Sequence, residues 1–476
     1  MGSNLTIQKD KTVKMKNKHA LVIGASMTGL VTARVLSDYF EQVTVLERDE
    51  LNATPTSRKS VPQGQHLHAL LAKGRYLLNH YFPGLTDELV AQGALEGDPT
   101  EKTNWFVDGG YRYKTKLGHT AILLTRPLVE TTVRRRVMDL PNVTIVTKVD
   151  VKELLASADK ARVLGVKLEH RQADGKPEVS ELHADLVVDC AGRGSAAVKW
   201  LAALGFDKPA EETIKVDLAY ATRTYRRRPE QGDEAYFISP TPPHEFCGAG
   251  AFPVDGDRWV VTLAGYFGNH PPADEKGFNE FARNLPAPDI YNLIKDSEPL
   301  TEIVTFKYPH SLRRRYEALK RHPEGYLVLG DALCSFNPIY GQGMTSASLQ
   351  ADALNTLLAQ ADGNLQGLWR RFYPAASKVV DGPWQLAAGA DFAYPQAQGR
   401  KPAGADLINN YIARLQRATH HEPVVHSAFI ACTNLLAPTS SLFAPHIVWR
   451  VWRYGGQRSR PAARRALSTF ASHSAD

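Results

Sequence analysis

The sequence predicts an α/β protein, a parallel sheet flanked by helices, carrying an inserted antiparallel sheet of α+β character and ending in a helical segment. Three stretches carry that prediction. Near the start, the apolar run His19-Ala20-Leu21-Val22-Ile23 meets Gly24-Ala25-Ser26-Met27-Thr28-Gly29, helical spacing over 30–40, and a second run, Val43-Thr44-Val45-Leu46, ending at Glu47. Late in the chain, Tyr326-Leu327-Val328-Leu329 runs into Gly330-Asp331, then Pro338, Gly341-Gln342-Gly343 and an alanine-rich helical pattern. Between them, residues 213–270 break into short alternating or aromatic segments separated by Pro and Gly. Unbroken apolar runs suit strands covered on both faces, and alternation suits strands with one wet face.

The first stretch is a Rossmann-like βαβ unit with a dinucleotide fingerprint. Gly24 makes the turn, Gly29 lets the helix pack on the strand, and Glu47, 23 residues after Gly24, is placed for ribose hydroxyls. Ser26 stands where the pattern has its middle glycine, which brings a side chain near the pyrophosphate. The placement between strand and helix, with the acid following, favours the fingerprint over an ordinary βα turn. In the late stretch, Asp331 at a strand end is placed to hold a polyol, and the glycines opening the helix offer bare amides to an anion. The two stretches read as halves of one flavin site.

Taking the rest in order, residues 58–68 form a polar, proline-broken loop leading into a helix over 69–81, and helical character continues to 93. His66 and His68 have no third ligand nearby, so no metal site is expected. Strands are expected over 104–113, and Thr125-Arg126-Pro127 opens a helix whose Arg134-Arg135-Arg136 reads as a solvated face. Strands over 143–146 and 163–168, with a turn at 173–175, lead to Asp185-Leu186-Val187-Val188-Asp189 and then Gly192-Arg193-Gly194-Ser195. The insert shows strands at 215–228, 234–239 and 258–265 and short helices at 277–284 and 288–295. A strand at 301–307 is expected to return to the first unit, followed by a helix at 365–384, a loop at 388–404 and helices at 409–416 and 424–436.

Of 476 residues, 43% are hydrophobic and 22% charged, an ordinary globular composition for roughly two to four domains. The net charge of +7 is concentrated at the two ends, a pattern of solvated tails rather than nucleic-acid contact. Four cysteines far apart, without a CxxC pair, argue against disulfide or zinc frameworks and for a reducing cytoplasm. No run of about 18 uncharged apolar residues supports a spanning helix. The segment 447–454 interleaves aromatic and basic residues, which leaves peripheral membrane contact through the C-terminus open beside packing on the protein.

In order, GASMTG closing on Glu47, DCAGRGS and GDALCSFNPIYGQGMT resemble the flavoprotein monooxygenases of the p-hydroxybenzoate hydroxylase fold. More narrowly, VPQGQHLHALL, GRGS followed by Lys199-Trp200-Leu201, and NPIYGQGMT resemble the branch with squalene epoxidase and the bacterial polyether epoxidases. The resemblance spans roughly 19–380 and implies the following domains. A discontinuous FAD-binding domain of glutathione reductase type takes 18–75, 114–204 and 301–375, and a substrate-binding domain takes 76–113 and 205–300. A helical region takes 376–455, with flexible tails at 1–17 and 456–476.

By position, the resemblance implies Gly24, Ser26 and Gly29 at the pyrophosphate and Glu47 at the adenosine ribose. It implies Arg58 at the cofactor, Arg126 near its phosphates or ribityl chain, Asp331 on that chain, and Pro338, Gly341, Gln342, Gly343 and Met344 at the phosphate or flavin edge. The loop from Pro62 would lie on the isoalloxazine ring, with Gln63, His66 and His68 as flavin-facing candidates and no certain catalytic acid or base. Tyr220, Phe237, Phe252 and Tyr266 would line the substrate pocket. Thr345 replaces the asparagine of the aromatic hydroxylases, which points to a lipophilic alkene. The implied chemistry is delivery of one atom of molecular oxygen from a flavin C4a-hydroperoxide to a terpenoid or polyketide, by epoxidation or hydroxylation. Ala191-Gly192 departs from the Asp-Gly pair of the aromatic hydroxylases, so NADPH or NADH would reduce the flavin directly or through a separate flavin reductase. Cys334 stands where the family often has histidine, and non-covalent FAD is expected. The alternatives are a reductase of the geranylgeranyl reductase type, acting without oxygen insertion, and a non-catalytic flavin-binding or membrane-docking protein.

Overall fold

In a computed structural model, residues 17–58, 60–171 and 177–456 are described. The expected tails at 1–16 and from 457 onward, Lys59 and the expected turn at 173–175 lie outside them. The five apolar runs form one parallel sheet, in the order Tyr326–Val328, Leu186–Asp189, Asn17–Ile23, Phe40–Leu46, Val143–Val146. Asn17 therefore belongs to the first strand rather than to a tail. Helices Met27–Leu36, Arg126–Met138 and Gly343–Ala361 pack on this sheet and on one another. The crossover from Val143–Val146 to Leu186–Asp189 is an antiparallel meander, Val149–Ala156, Val163–Arg171 and Pro177–His183, of which only the middle strand was expected.

The insert is a seven-stranded sheet ordered Val304–Tyr308, Leu218–Arg226, Arg258–Gly265, Cys247–Val254, Ala235–Ile238, Thr103–Val107, Gly110–Tyr111. All pairings are antiparallel except Ala235–Ile238 with Thr103–Val107. Two of its strands differ from the sequence expectation. Cys247–Val254 was not expected, because Gly248, Ala249, Gly250, Ala251 and Pro253 are poor strand formers that sit there only through burial between two neighbours. Val304–Tyr308 does not return to the first unit: it pairs with Leu218–Thr222 as the edge of the inserted sheet.

Other boundaries shift for local reasons. The helix expected at 30–40 spans Met27–Leu36, and Phe40 already opens the next strand. Helical character over 70–93 resolves into Ala72–Tyr81 and Leu85–Ala91, separated at Pro83-Gly84, where Gly84 has φ of +77°. The former packs against Gly343–Ala361, so the expected domain boundary at 75/76 falls inside a helix of the flavin-side core. Arg134 is no solvated residue. It is buried and bonds the Asn52 carbonyl, while Arg135 and Arg136 pair with Glu88. The helix expected to end at 384 runs Leu368–Asp391, through Pro374 and Pro383. Ala405–Ala418, Pro423–Thr433 and Pro445–Tyr454 close on a small core of their own that includes Leu415, Ile430 and Val451. No described helix is long and apolar enough to cross a membrane.

Candidate functional site

A cavity of about 880 Å³ opens where the parallel sheet's strand ends meet the inserted sheet, large for a small-molecule site. Its polar end is built on the first βα turn. A Cβ on Gly24, which has φ of +98°, would stand 2.9 Å from the Cys190 carbonyl oxygen, and one on Gly29 would stand 1.8 Å from the Gly24 carbonyl oxygen. Neither position admits a side chain, so turn and helix close onto the strand as the fingerprint requires. Gly29 is therefore beneath the cavity rather than in its wall.

Ser26 reaches the wall, but its hydroxyl turns into a buried ion cluster. It donates to Glu130 Oε2 at 3.1 Å and accepts from Arg126 Nη2 at 2.8 Å. Arg126 also donates to Glu130 Oε2 from Nε and Nη2, at 3.2 and 3.1 Å. Arg58 holds the other carboxylate oxygen, Oε1, at 2.8 and 2.5 Å, and its Nη1 lies 3.0 Å from Glu47 Oε2. Burial alone would raise the Glu130 pKa. Arg126 and Arg58 outweigh it and hold the carboxyl below its usual range. Glu47 accepts from the Ala25 amide at 2.9 Å and from the Asp49 amide at 2.9 Å, which fixes it at the strand end beside the turn. The sequence reading omitted Glu130; its signal was an acid four residues after Arg126 on one helix face.

Opposite this cluster, Asp331 lines the cavity, its pKa raised by burial against the opposing pull of Arg193 and Arg126. Gly330 can only be glycine, since a Cβ there would meet Thr28 at 2.6 Å with φ at +66°. Pro338, Gly341, Gly343 and Met344 are also in the wall. Gly341 has φ of +66°, and open space lies where a Cβ would stand on Gly341 and Gly343, so their backbone faces the cavity bare. The helix beginning at Gly343 has no side-chain cap, leaving first-turn amides for a ligand. Gln342 is different. Its side chain turns away to the Thr433 carbonyl at 3.2 Å, leaving a buried Oε1 without a partner. Thr345 is not in the wall either: a Cβ on Gly74 would stand 2.4 Å from its hydroxyl, which therefore faces the helix Ala72–Tyr81. Cys334 is buried away from the cavity.

The sheet end of the cavity is mainly aromatic, with Lys102, Asp233 and Lys307 also in its lining. Tyr220, Phe237 and Phe252 line it with Phe306, and a Cβ on Gly250 would stand 3.0 Å from Leu67 and 3.2 Å from Phe237, so the small-residue strand leaves the cavity its width. Tyr266 is not among them. It stacks on Tyr394 at 5.3 Å behind the wall, its hydroxyl near Asn337. The loop from Pro62 bridges the two ends: Gly64 lies over Arg126, while Gln63, His66 and His68 face the cavity. His66 Nδ1 bonds the Thr222 hydroxyl at 2.8 Å, which bonds Thr262 at 2.7 Å, which accepts from the Leu67 amide at 3.2 Å. His66 Nε2 is buried and unpartnered between Tyr220 and Phe306, and burial lowers its pKa to about 4. His68 Nδ1 donates to the His66 carbonyl at 2.9 Å; burial, then Arg126, lowers its pKa to about 4. Both histidines are neutral at pH 7.

Asp391 lies one layer behind, fully buried, accepting from Asn337 and from Tyr340 at 2.9 Å each. Burial lifts its pKa to about 7 against those two bonds. Like the Thr222–Thr262 pair, it escaped the sequence reading, because its position follows from a helix that runs past two prolines.

The donor set suits FAD: a glycine turn, an acid at the next strand end, a half-buried aspartate lining the cavity, and an uncapped helix opening on bare glycines. The comparisons agree. A family model described as "FAD binding domain" matches residues 17–363. Protein Rv3254 of Mycobacterium tuberculosis is 34% identical over 434 residues, covering 88% of this chain and 90% of its own length. Among solved structures, the flavin-dependent brominase Bmp2 superposes with a TM-score of 0.63 at 12% identity, covering 91% of this chain and 99% of its own. The p-nitrophenol 4-monooxygenase PnpA of Pseudomonas putida gives 0.61 at 18% identity, covering 87% and 98%.

Proposed function

The chain belongs to the FAD-binding domain family of flavin-dependent oxidoreductases, and from that premise we propose that it is a monooxygenase inserting one oxygen atom into a lipophilic, alkene-containing terpenoid or polyketide. One observation supports the reading above the others. The cavity runs without a break from the phosphate-facing turn to a wall of Tyr220, Phe237, Phe252 and Phe306. Bound FAD supplies the electrons and the activation of oxygen.

The chain's own residues do the rest. The first-turn amides, Glu47 and Asp331 would hold the cofactor. The Arg58–Glu130–Arg126 cluster keeps two cations in the cavity wall, where they would favour an anionic cofactor, without leaving either unpaired in the interior. The aromatic wall excludes water and orients an apolar chain against the loop from Pro62. His66 and His68, neutral throughout the physiological range, add no charge that an alkene could not solvate. Electrons come from NADPH or NADH, directly or through a separate flavin reductase, with Ala191-Gly192 at the cavity edge as the stretch that differs from the aromatic hydroxylases.

The test is isotopic. FAD-loaded protein, supplied with NADPH and a flavin reductase, is given prenyl and polyene alkenes under ¹⁸O₂, and products are read by mass spectrometry. One ¹⁸O atom per product is expected. A saturated product without label would overturn the proposal in favour of a reductase. Omitting the reductase separates the electron sources: stoichiometric NADPH oxidation by the protein alone would assign direct reduction.

A further inference from the structure

The C-terminal helical unit presents an aromatic, cationic surface that no other part of the described chain covers, and we propose that it docks on an anionic membrane. The helix Pro445–Tyr454 buries Ile447 and Val451 against the unit's core and turns the opposite side outward, with Trp449 56% and Trp452 68% exposed. Val448 is exposed beside them. Phe443, 44% exposed, stacks on Tyr411 of Ala405–Ala418, whose Arg414 bonds the Trp452 carbonyl at 2.5 Å. Leu407, 77% exposed, lies one turn before Tyr411 on that same stripe. Five large apolar side chains, on two adjoining helices and the turn Thr439–Phe443 that leads into one of them, thus stand in water, a cost that isolated surface residues do not impose.

Charge decides the occupant. Arg450 and Arg453 sit on the same helix as the tryptophans. The sequence from Pro423 to Ala475 holds Arg450, Arg453, Arg458, Arg460, Arg464 and Arg465 and not one Asp or Glu. Two acids border the patch and both are paired, Asp406 with Lys401 at 2.5 Å and Glu422 with Arg450 at 3.5 Å, which leaves Arg453 without an acid among the described residues. A second copy of the chain would bring like charges face to face, which is unfavourable across a two-fold interface. Anionic headgroups complement the arginines, and tryptophan suits the headgroup level, apolar on one side and able to donate a hydrogen bond on the other.

The inner side of the same unit contributes Ile430, Thr433 and Asn434 to the cavity wall. Docking therefore places the cavity one helix layer from the bilayer, a position suited to the lipophilic substrate proposed above. The docking itself does not rest on that reading, and its assay succeeds or fails separately from the isotope experiment.

The test uses the FAD-loaded full chain and sedimentation with vesicles of phosphatidylcholine alone or with about 30% of the anionic phospholipid phosphatidylglycerol. Wild type should bind the anionic vesicles about tenfold better than the neutral ones, less so at about 0.5 M salt, roughly three times the ionic strength at which the Debye length is about 8 Å. Trp449→Ala/Trp452→Ala should lose about tenfold of that binding, and Arg450→Gln/Arg453→Gln should abolish the lipid preference, both with unchanged FAD content and circular dichroism. Wild type that fails to bind, or a tryptophan pair that binds equally well, overturns the proposal. So does a concentration-dependent dimer, seen by light scattering, that the tryptophan variant dissolves without any vesicle binding.

Discussion

At the turn end of the cavity, charge is concentrated and paired: Arg126, Glu130, Arg58 and Glu47 lie buried in a chain of contacts, each link 3.2 Å or shorter. On the sheet side, aromatic rings dominate: His66 is held by a hydroxyl chain among them, and the charged lining residues Lys102 and Asp233 pair with each other at 2.9 Å. The contrast separates two kinds of constraint. Paired buried ions tolerate no single deletion, because removing one leaves another uncompensated in a poor solvent. An apolar wall tolerates change of shape so long as volume is kept.

The sharpest way to break this contrast is Glu130→Ala. It strands Arg126 with only Ser26 and leaves Arg58 with Glu47, the Ala25 carbonyl and the more distant Asp49, so the loss should be about 3–5 kcal/mol, as for a broken buried pair. It should appear as a lower midpoint of urea unfolding and as flavin lost on desalting. If Glu130→Ala unfolds at the wild-type midpoint and keeps its flavin, the cluster is not a structural support for the cofactor wall.

The same contrast explains what the sequence made legible. Gly24, Gly29, Glu47, Gly330, Asp331 and Gly341 could be read in advance because backbone geometry restricts them: a turn with no room for a Cβ, an acid at a strand end, a helix opening on glycine. Such demands are local and leave a pattern in a few consecutive residues. The sheet wall imposes no comparable demand. Cys247–Val254 looked unlike a strand because its small residues matter only once Leu67 and Phe237 press against them. Tyr266 was read as pocket-lining from its place in an aromatic strand, yet it stacks on Tyr394, more than a hundred residues away in sequence, behind the wall. Val304–Tyr308 read as a return strand because sequence shows that a strand exists and not which edge it joins.

Acid should separate the two walls. The His66 pKa falls from 6.5 unfolded to about 4 folded, so its neutral form stabilises the fold fully above pH 6.5. That contribution is lost as pH falls from 6.5 toward 4, at about 1.4 kcal/mol per pH unit for each proton taken up on unfolding. Glu130 is also depressed, so its contribution is present above its unfolded value of 4.5 and is lost only below it. The sheet wall should therefore weaken first. Between pH 7.5 and 5, the fall in urea midpoint should be shallower for His66→Asn, which cannot titrate, than for wild type, with His68 and the other buried histidines supplying the remainder. Equal slopes would mean that His66 already shares its proton equilibrium with water in the folded protein.

The smallest effect tests the residue that carried the expectation of an alkene substrate. Thr345 is 1% exposed, its hydroxyl has no partner, and it faces Gly74 rather than the cavity. An unpaired buried hydroxyl costs stability, so Thr345→Val, nearly the same shape without the oxygen, should be neutral or stabilising by up to about 1 kcal/mol. FAD content and turnover of any alkene the wild type accepts should be unchanged. A drop in turnover at full FAD occupancy would return Thr345 to the substrate side. An unchanged enzyme would place the preference for a lipophilic alkene in the aromatic wall alone, where Phe237 and Phe252 meet the cavity.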